Sequence, residues 1–318
     1  MTGSHASRPG GIVCPLATPL TDDGRLDEPV FRALIEALVP DLDGLFPLGS
    51  SGELTWLPDD VAQRVARVAI DQVGGRIPVY VGCGDTGLAR TLARTERLAA
   101  AGADFLVVTS PFYYHVAEEA RVVEHFVAVA DRAPAPVVLY NIPQNTHLPL
   151  APSVVERLAE HPNIVGIKDS AGDWFAFERF LALRSDGFSV FQGRERMAAI
   201  ALWSGADGVI SSLANIAPRL LRDLAKAVRD ERPRREVLAL QAHVGELGAV
   251  FEQGDWLAGL KATLQALGWD VGEPSAPIPP YDAEQRRVVR EIVAAPELWP
   301  WLTVAPGAPG VAAQPSRH

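Results

Sequence analysis

The strongest constraint on this chain is a pattern that repeats eight times between Gly11 and Arg229. Short apolar segments alternate with amphipathic ones. The apolar segments are 11–17, 44–49, 77–83, 105–109, 136–140, 164–168, 188–192 and 208–211, each about the length of a buried strand. Between them, apolar residues recur at helical spacing. Phe31, Leu34, Ile35 and Leu38 follow an Asp27 cap with Pro29 in the first turn, and Val61, Val65 and Val68 follow Pro58 and stop at Gly74-Gly75. Such alternation demands parallel strands joined by right-handed crossovers. Eight units fit a closed (β/α)8 TIM barrel over 11–230. A doubly wound sheet would want Gly-x-Gly-x-x-Gly after the first strand, where this chain has Ala17-Thr18-Pro19-Leu20.

Residues 231–303 contain no clear strand. Segments 235–251, 255–267 and 282–295 read as helices, a C-terminal three-helix extension packed on the barrel or on a neighbouring subunit. Residues 1–10 are expected to be disordered. The Pro-, Gly- and Ala-rich stretch 304–318 is expected to be a mobile tail.

A net charge of −10 and a pI near 5.2 argue against nucleic acid and against an anionic membrane surface as partners. The run 229–235 is mixed in sign and reads as a solvated helix end. Cys14 and Cys83 sit in apolar strands as small hydrophobes, and no metal-ligand spacing occurs. The polar start lacks the apolar core of a secretory signal and no apolar run reaches transmembrane length, so the cytoplasm is the expected compartment.

In such a barrel, chemistry gathers at the C-terminal ends of the strands. Strand six ends in Lys168, one of only three lysines in a chain that otherwise uses arginine. Arginine cannot lose its proton in a protein, whereas a desolvated lysine can, and then becomes an amine nucleophile. Lys168 is therefore either a Schiff-base lysine or a strand-end lysine reaching solvent past its stem. Lys226 and Lys261 are expected to lie outside the barrel mouth. Strand five ends in Tyr140-Asn141-Ile142-Pro143, close enough for a phenol to meet that amine, or else as a core tyrosine. Strand two ends in Gly49-Ser50-Ser51-Gly52-Glu53. Its hydroxyls and free amides suit a carboxylate or phosphate, and an ordinary turn would read the same way. Strand four ends in the aromatic cluster Phe112-Tyr113-Tyr114. His115 and His147 are lone loop histidines with no assigned role.

Taken together, the Gly49–Glu53 run, Pro111-Phe112-Tyr113, Tyr140-Asn141-Ile142-Pro143 and Gly166-Ile167-Lys168-Asp169 closely resemble the dihydrodipicolinate synthase / N-acetylneuraminate lyase family of class I pyruvate-dependent aldolases. Gln192-Gly193 and Gly208-Val209-Ile210-Ser211 extend the match. The resemblance implies that Lys168 forms an imine with a 2-oxo acid such as pyruvate, with no metal or diffusible cofactor. It implies that Tyr140 and Ser50 relay protons and that Tyr113 completes the relay from a neighbouring subunit. Gly49, Ser51 and the adjacent amides would hold the carboxylate, with Gly193 and Ile210 lining the pocket. A homodimer or homotetramer is expected.

Members that make the dihydrodipicolinate precursor carry an arginine two residues after the motif proline. Here that position is Asn145, which cannot form a charged bidentate clamp. The expected reaction is therefore cleavage of a 4-hydroxy-2-oxo acid, such as 4-hydroxy-2-oxoglutarate or a 2-keto-3-deoxy sugar acid, to pyruvate and an aldehyde. The condensing synthase that uses aspartate semialdehyde stands second, with a dehydratase acting through the same imine as a third possibility. An idle relative that only binds a 2-oxo acid is the alternative from another class.

Overall fold

The computed structural model describes residues 8–308; residues 1–7 and 309–318, parts of the expected disordered start and mobile tail, lie outside them. Strands β1 (Gly11–Pro15), β2 (Gly44–Phe46), β3 (Tyr80–Gly82), β4 (Phe105–Thr109), β5 (Val137–Asn141), β6 (Ile164–Asp169), β7 (Ser189–Gln192) and β8 (Gly208–Ile210) form one parallel sheet. Their order is β2-β1-β8-β7-β6-β5-β4-β3. The two ends of that order meet. Leu45 bridges Val79, and the Gly82 amide donates to the Pro47 carbonyl at 3.2 Å, so the sheet closes. Gly82 permits this approach, because a Cβ there would stand 1.9 Å from the Leu48 oxygen.

Helices α1 (Glu28–Leu38), α2 (Asp59–Val73), α3 (Leu88–Ala99), α4 (Glu119–Ala130), α5 (Pro143–Thr146), α6 (Pro152–Leu158), α7 (Trp174–Leu181), α8 (Ala198–Trp203) and α9 (Pro218–Arg229) complete the barrel. Asp27 caps α1 by accepting from Val30 N, and Gly74 ends α2 in the left-handed region at φ 58°. The single turn α5, directly after β5, is an addition to the expected pattern.

Strand side chains alternate between two layers. Val137 and Leu139 face the helices, while Val138 and Tyr140 face the barrel interior with Val13, Phe46, Tyr80, Phe105, Val107, Phe191 and Ile210. The C-terminal extension comprises α10 (Arg234–Gly248), α11 (Trp256–Ala266) and α12 (Ala283–Val293). Helix α11 is buried from Leu257 through Leu264, the mark of a helix covered on all sides. No described helix is long and apolar enough to cross a membrane.

Where the chain is described, residues at both ends make contacts with the folded body. Arg8 pairs with Asp207 at 2.7 Å and donates to Ser189 Oγ, tying residues 8–10 to the barrel. At the other end, Thr303 N donates to Ile216 O at 2.7 Å, Ala305 N donates to Leu267 O at 2.9 Å and Trp269 Nε1 donates to Thr303 O. The Thr303 bonds end the extension, and the Ala305 bond is the one made by the segment read as a mobile tail.

His125 on α4 is buried, and its Nε2 has no partner among the described residues. Burial lowers its pKa to about 4. A base whose folded pKa is depressed supports the fold in its neutral form, and that support fades as pH falls from the usual histidine value through 4. His125→Phe should therefore lose less stability than wild type between pH 7 and 4, with a difference of up to about 3 kcal/mol. Urea unfolding of both proteins at each pH would measure it, and parallel curves would mean that His125 is not a source of acid sensitivity.

Candidate active site

Strand β6 carries a bulge. Val137 of β5 pairs with Ile164, but Val138 pairs with Gly166, leaving Val165 as the extra residue. The slip brings Lys168 directly opposite Tyr140. Ile164 and Ile167 belong to the outer layer, while Val165 packs against the inner one. Gly166 fits because a Cβ would stand 2.5 Å from the Ser189 oxygen.

Lys168 is 3% exposed. Its Nζ lies 4.0 Å from the centroid of the Tyr140 ring and 5.2 Å from that of Phe46. Both rings border a cavity of 530 Å³ at the C-terminal ends of the strands. Gly49, Ser50 and Asn145 border it as well, together with Thr109, Phe112, Trp56, Gln144 and His147. The Tyr140 hydroxyl is 3.5 Å from Ser50 Oγ, at the limit of a hydrogen bond. Among the described residues, the Ser50 and Ser51 amides donate to no protein acceptor, so two N–H groups are available beside that hydroxyl.

The remaining expected residues are placed differently. Ser51 is buried, and its hydroxyl shares a 2.9 Å hydrogen bond with Ser212 Oγ rather than bordering the cavity. Gly193 lies behind the site: its amide donates to Asp169 O at 2.7 Å, and a Cβ there would fall 2.0 Å from Ser170 Oγ. Ile210 is wholly buried in the barrel interior, in the same cluster as Tyr140 and Phe46, below the cavity. Tyr113 is 81% exposed with φ 82°, and it stacks edge-on against Tyr114 on the surface of this chain. Within one chain it takes no part in the cavity wall.

Three contributors went unread in the sequence. Lys261, expected outside the mouth, is wholly buried and pairs with Glu53, which borders the cavity. A lysine at one position of an apolar helix gives no hint of its partner; its rarity was the one usable signal. Asp255, Trp256 and Leu257, at the start of α11, form part of the cavity wall. Asn141 Nδ2 donates to Asp169 Oδ1 at 2.6 Å, and Asn141 Oδ1 accepts from Leu150 N, which ties the ends of β5 and β6 together behind Tyr140 and Lys168.

Comparison with known proteins adds a name to this geometry. Residues 8–296 match the model of the dihydrodipicolinate synthetase family. The chain belongs to that family. It is a lyase of the class I, pyruvate-dependent kind, and the family works through an imine on a lysine without a cofactor. A 4-hydroxy-tetrahydrodipicolinate synthase of Xanthomonas axonopodis pv. citri is 43% identical over 221 residues, 69% of this chain and 73% of the relative. An uncharacterised DapA-like lyase of Halobacterium salinarum is 33% identical and covers 92% of this chain and 98% of its own. Among solved structures, YagE, a prophage protein of the dihydrodipicolinic acid synthase family from E. coli K12 in complex with pyruvate, superposes with a TM-score of 0.85 at 32% identity. It covers 90% of this chain and 97% of its own. Several similar relatives carry the name of the synthase, the reaction that the motif at Asn145 had set second.

Asp169 supplies a measurable property of the site. It is 1% exposed and its Oδ2 has no partner among the described residues. Burial pushes its carboxyl up to about 6, against the opposing hydrogen bond from Asn141. An acid with a raised folded pKa supports the fold while protonated and loses that support as pH rises from about 4 through 6. Across that window, wild type should lose up to about 3 kcal/mol relative to Asp169→Asn. Chemical unfolding of the pair from pH 4 to 7 reads the difference, and a constant difference would mean that Asp169 titrates as an ordinary surface carboxylate.

Proposed function

We propose that Lys168 is the imine-forming lysine of this chain and that the enzyme cleaves a 4-hydroxy-2-oxo acid reversibly to pyruvate and an uncharged aldehyde. The observation that carries the first half is the direct pairing of the buried Lys168 with Tyr140, whose ring borders the cavity. The uncharged amine attacks the C2 ketone, and loss of water gives a protonated imine. That cation is an electron sink. When the C4 hydroxyl gives up its proton, the C3–C4 bond breaks, its electron pair moves into the enamine and the aldehyde leaves. Protonation at C3 and hydrolysis then release pyruvate. Tyr140, with Ser50 beside its hydroxyl, is the group positioned to take and return these protons. The Ser50 and Ser51 amides suit the carboxylate at C1. Tyr113 acts, on this reading, from a neighbouring copy in a homodimer or homotetramer, in keeping with its exposure here.

The choice of aldehyde rests on the cavity wall. Among the described residues, no arginine or lysine borders it. Glu53 is neutralised by Lys261, and Asp255 caps α11 by accepting from Leu257 N at 2.9 Å. Thr55, Gln144, Asn145 and His147 offer hydrogen bonds suited to hydroxyl groups. A second reading, condensation of pyruvate with aspartate semialdehyde, is favoured by the names of the relatives and not by this wall.

Borohydride reduction with pyruvate, followed by peptide mass analysis, should place a pyruvyl adduct on Lys168; a folded protein without that adduct ends the imine reading. Lys168→Ala should abolish turnover, and Tyr140→Phe should slow it by about 10²- to 10⁴-fold. Paired assays of pyruvate with glyceraldehyde and with aspartate semialdehyde separate the two reactions, faster use of the latter selecting the synthase. Asn145→Arg should shift the ratio toward the anionic aldehyde, and an unmoved ratio removes Asn145 from specificity.

A further inference from the structure

Two of the three lysines are buried close to the cavity. Lys168 belongs to the reaction proposed above; Lys261 does not. Its Nζ lies 2.7 Å from Glu53 Oε1 and donates to the Glu273 carbonyl at 2.9 Å. Neither side chain of the pair is exposed at all. The other oxygen of Glu53 accepts from Ser275 N at 2.7 Å. Glu53 thus gathers α11 and the 273–275 segment of the C-terminal extension onto the end of the strand-two loop.

A wholly buried ion pair is an inefficient way to stabilise a fold. Desolvation offsets most of the attraction, and apolar residues of the same shape often do as well. Burial lowers the pKa of Lys261, while the charge of Glu53 opposes that shift. What such a pair does supply is a fixed position, since each charge has one acceptable partner. The position fixed here is that of Glu53, a non-glycine residue held at φ 60°. Its amide donates to the Ser50 carbonyl at 3.2 Å, and Gly52 N and Leu54 N both donate to the Gly49 carbonyl. The turn that Glu53 closes is the one whose Ser50 and Ser51 amides are free. A displaced Glu53 would carry those amides with it.

We propose that Glu53 and Lys261 are positioning residues that hold the Ser50–Ser51 amides in place for the carboxylate of the 2-oxo acid, making the C-terminal extension a working part of the active site. The inference rests on the preceding functional reading. It deepens that reading by predicting an effect on 2-oxo-acid affinity rather than on the chemical step.

The test uses the full chain. Borohydride trapping on Lys168 is titrated with pyruvate in wild type, Lys261→Met, Glu53→Asp and the double variant Glu53→Gln/Lys261→Met. The double variant removes both charges at similar volume, and Glu53→Asp keeps the charge but withdraws it by one methylene, so at least one should fold as judged by circular dichroism. In folded variants the pyruvate concentration for half-maximal trapping should rise by about 10-fold or more, while trapping at saturation stays within about 2-fold of wild type. Half-saturation unchanged in both the double variant and Glu53→Asp overturns the proposal. So does a fall in saturated rate with half-saturation unmoved, which a general loosening of the site would give. If wild type itself traps no pyruvate on Lys168, the functional reading has failed and takes this inference with it; wild-type trapping with unaltered variants strikes the pair alone.

Discussion

The site depends on a single slip in strand pairing. Side chains alternate strictly along a strand, so moving β6 by one residue against β5 exchanges its inner and outer faces. Were Val165 paired in register with Val138, Ile167 would stand opposite Tyr140 and Lys168 opposite Asn141. With Val165 bulged out of the pairing, the one amine at the end of an apolar strand is carried onto the face of a phenol that borders the cavity. Gly166 on β6 and Gly193 just after β7 serve the same arrangement, because side chains there would collide with Ser189 and Ser170. The outer face is no less constrained. Asn141 and Asp169, one step beyond Tyr140 and Lys168, join each other by hydrogen bond and keep the two strand ends in step.

The barrel was legible because its signals are redundant. Each strand is an unbroken apolar run and each helix has its own stripe, so an error of a residue or two in any boundary leaves eight units standing. The placement of Lys168 beside Tyr140 was legible for a related reason: both lie at the ends of clear strands that neighbour each other in the sheet. The bulge was not legible. The run from Ile164 to Lys168 reads as a plain strand, and pairing register is a property of two strands rather than one. Ser51 shows the same limit. Two adjacent serines in one turn look equivalent, yet Ser50 borders the cavity while the Ser51 hydroxyl is claimed by Ser212, some 160 residues further along the chain. The bond from Ala305 N to Leu267 O was not legible either, because Pro, Gly and Ala suggest mobility, although small residues also allow a backbone to lie close on a folded surface.

Charge in the cavity follows from what is already paired. A net charge of −10 would suggest an acidic pocket. Both carboxylates on the wall are nevertheless engaged, Glu53 by Lys261 and Asp255 by the first turn of α11. The amine of Lys168 and the free amides of the strand-two turn are then the groups left to meet an anion. On the proposed reading they meet the two ends of one small unit, the ketone and the carboxylate of a 2-oxo acid. A second carboxylate at the far end would enter a wall of amides, hydroxyls and an imidazole, where hydrogen bonds replace a charged clamp. The family scaffold and the names of the relatives speak for the chemistry at the ketone; the wall speaks to the other half of the substrate.

This division also gives the C-terminal extension a physical reason to exist. A closed barrel already buries its own strands, and three more helices are not needed to complete its core. Helix α11 nonetheless lies buried along most of its length, walls the cavity with its first residues and reaches the strand-two turn with Lys261. The barrel supplies rigid strand ends for Lys168 and Tyr140. The turn that would receive the carboxylate projects beyond those ends, where strand pairing no longer restrains it. Thr18 and Ser212 hold it from the barrel side, at Gly52 O and at the Ser51 hydroxyl; a buried charge pair to a covered helix holds it from the other side, and more tightly than an apolar contact would, because charges have fewer alternative partners than methyl groups do.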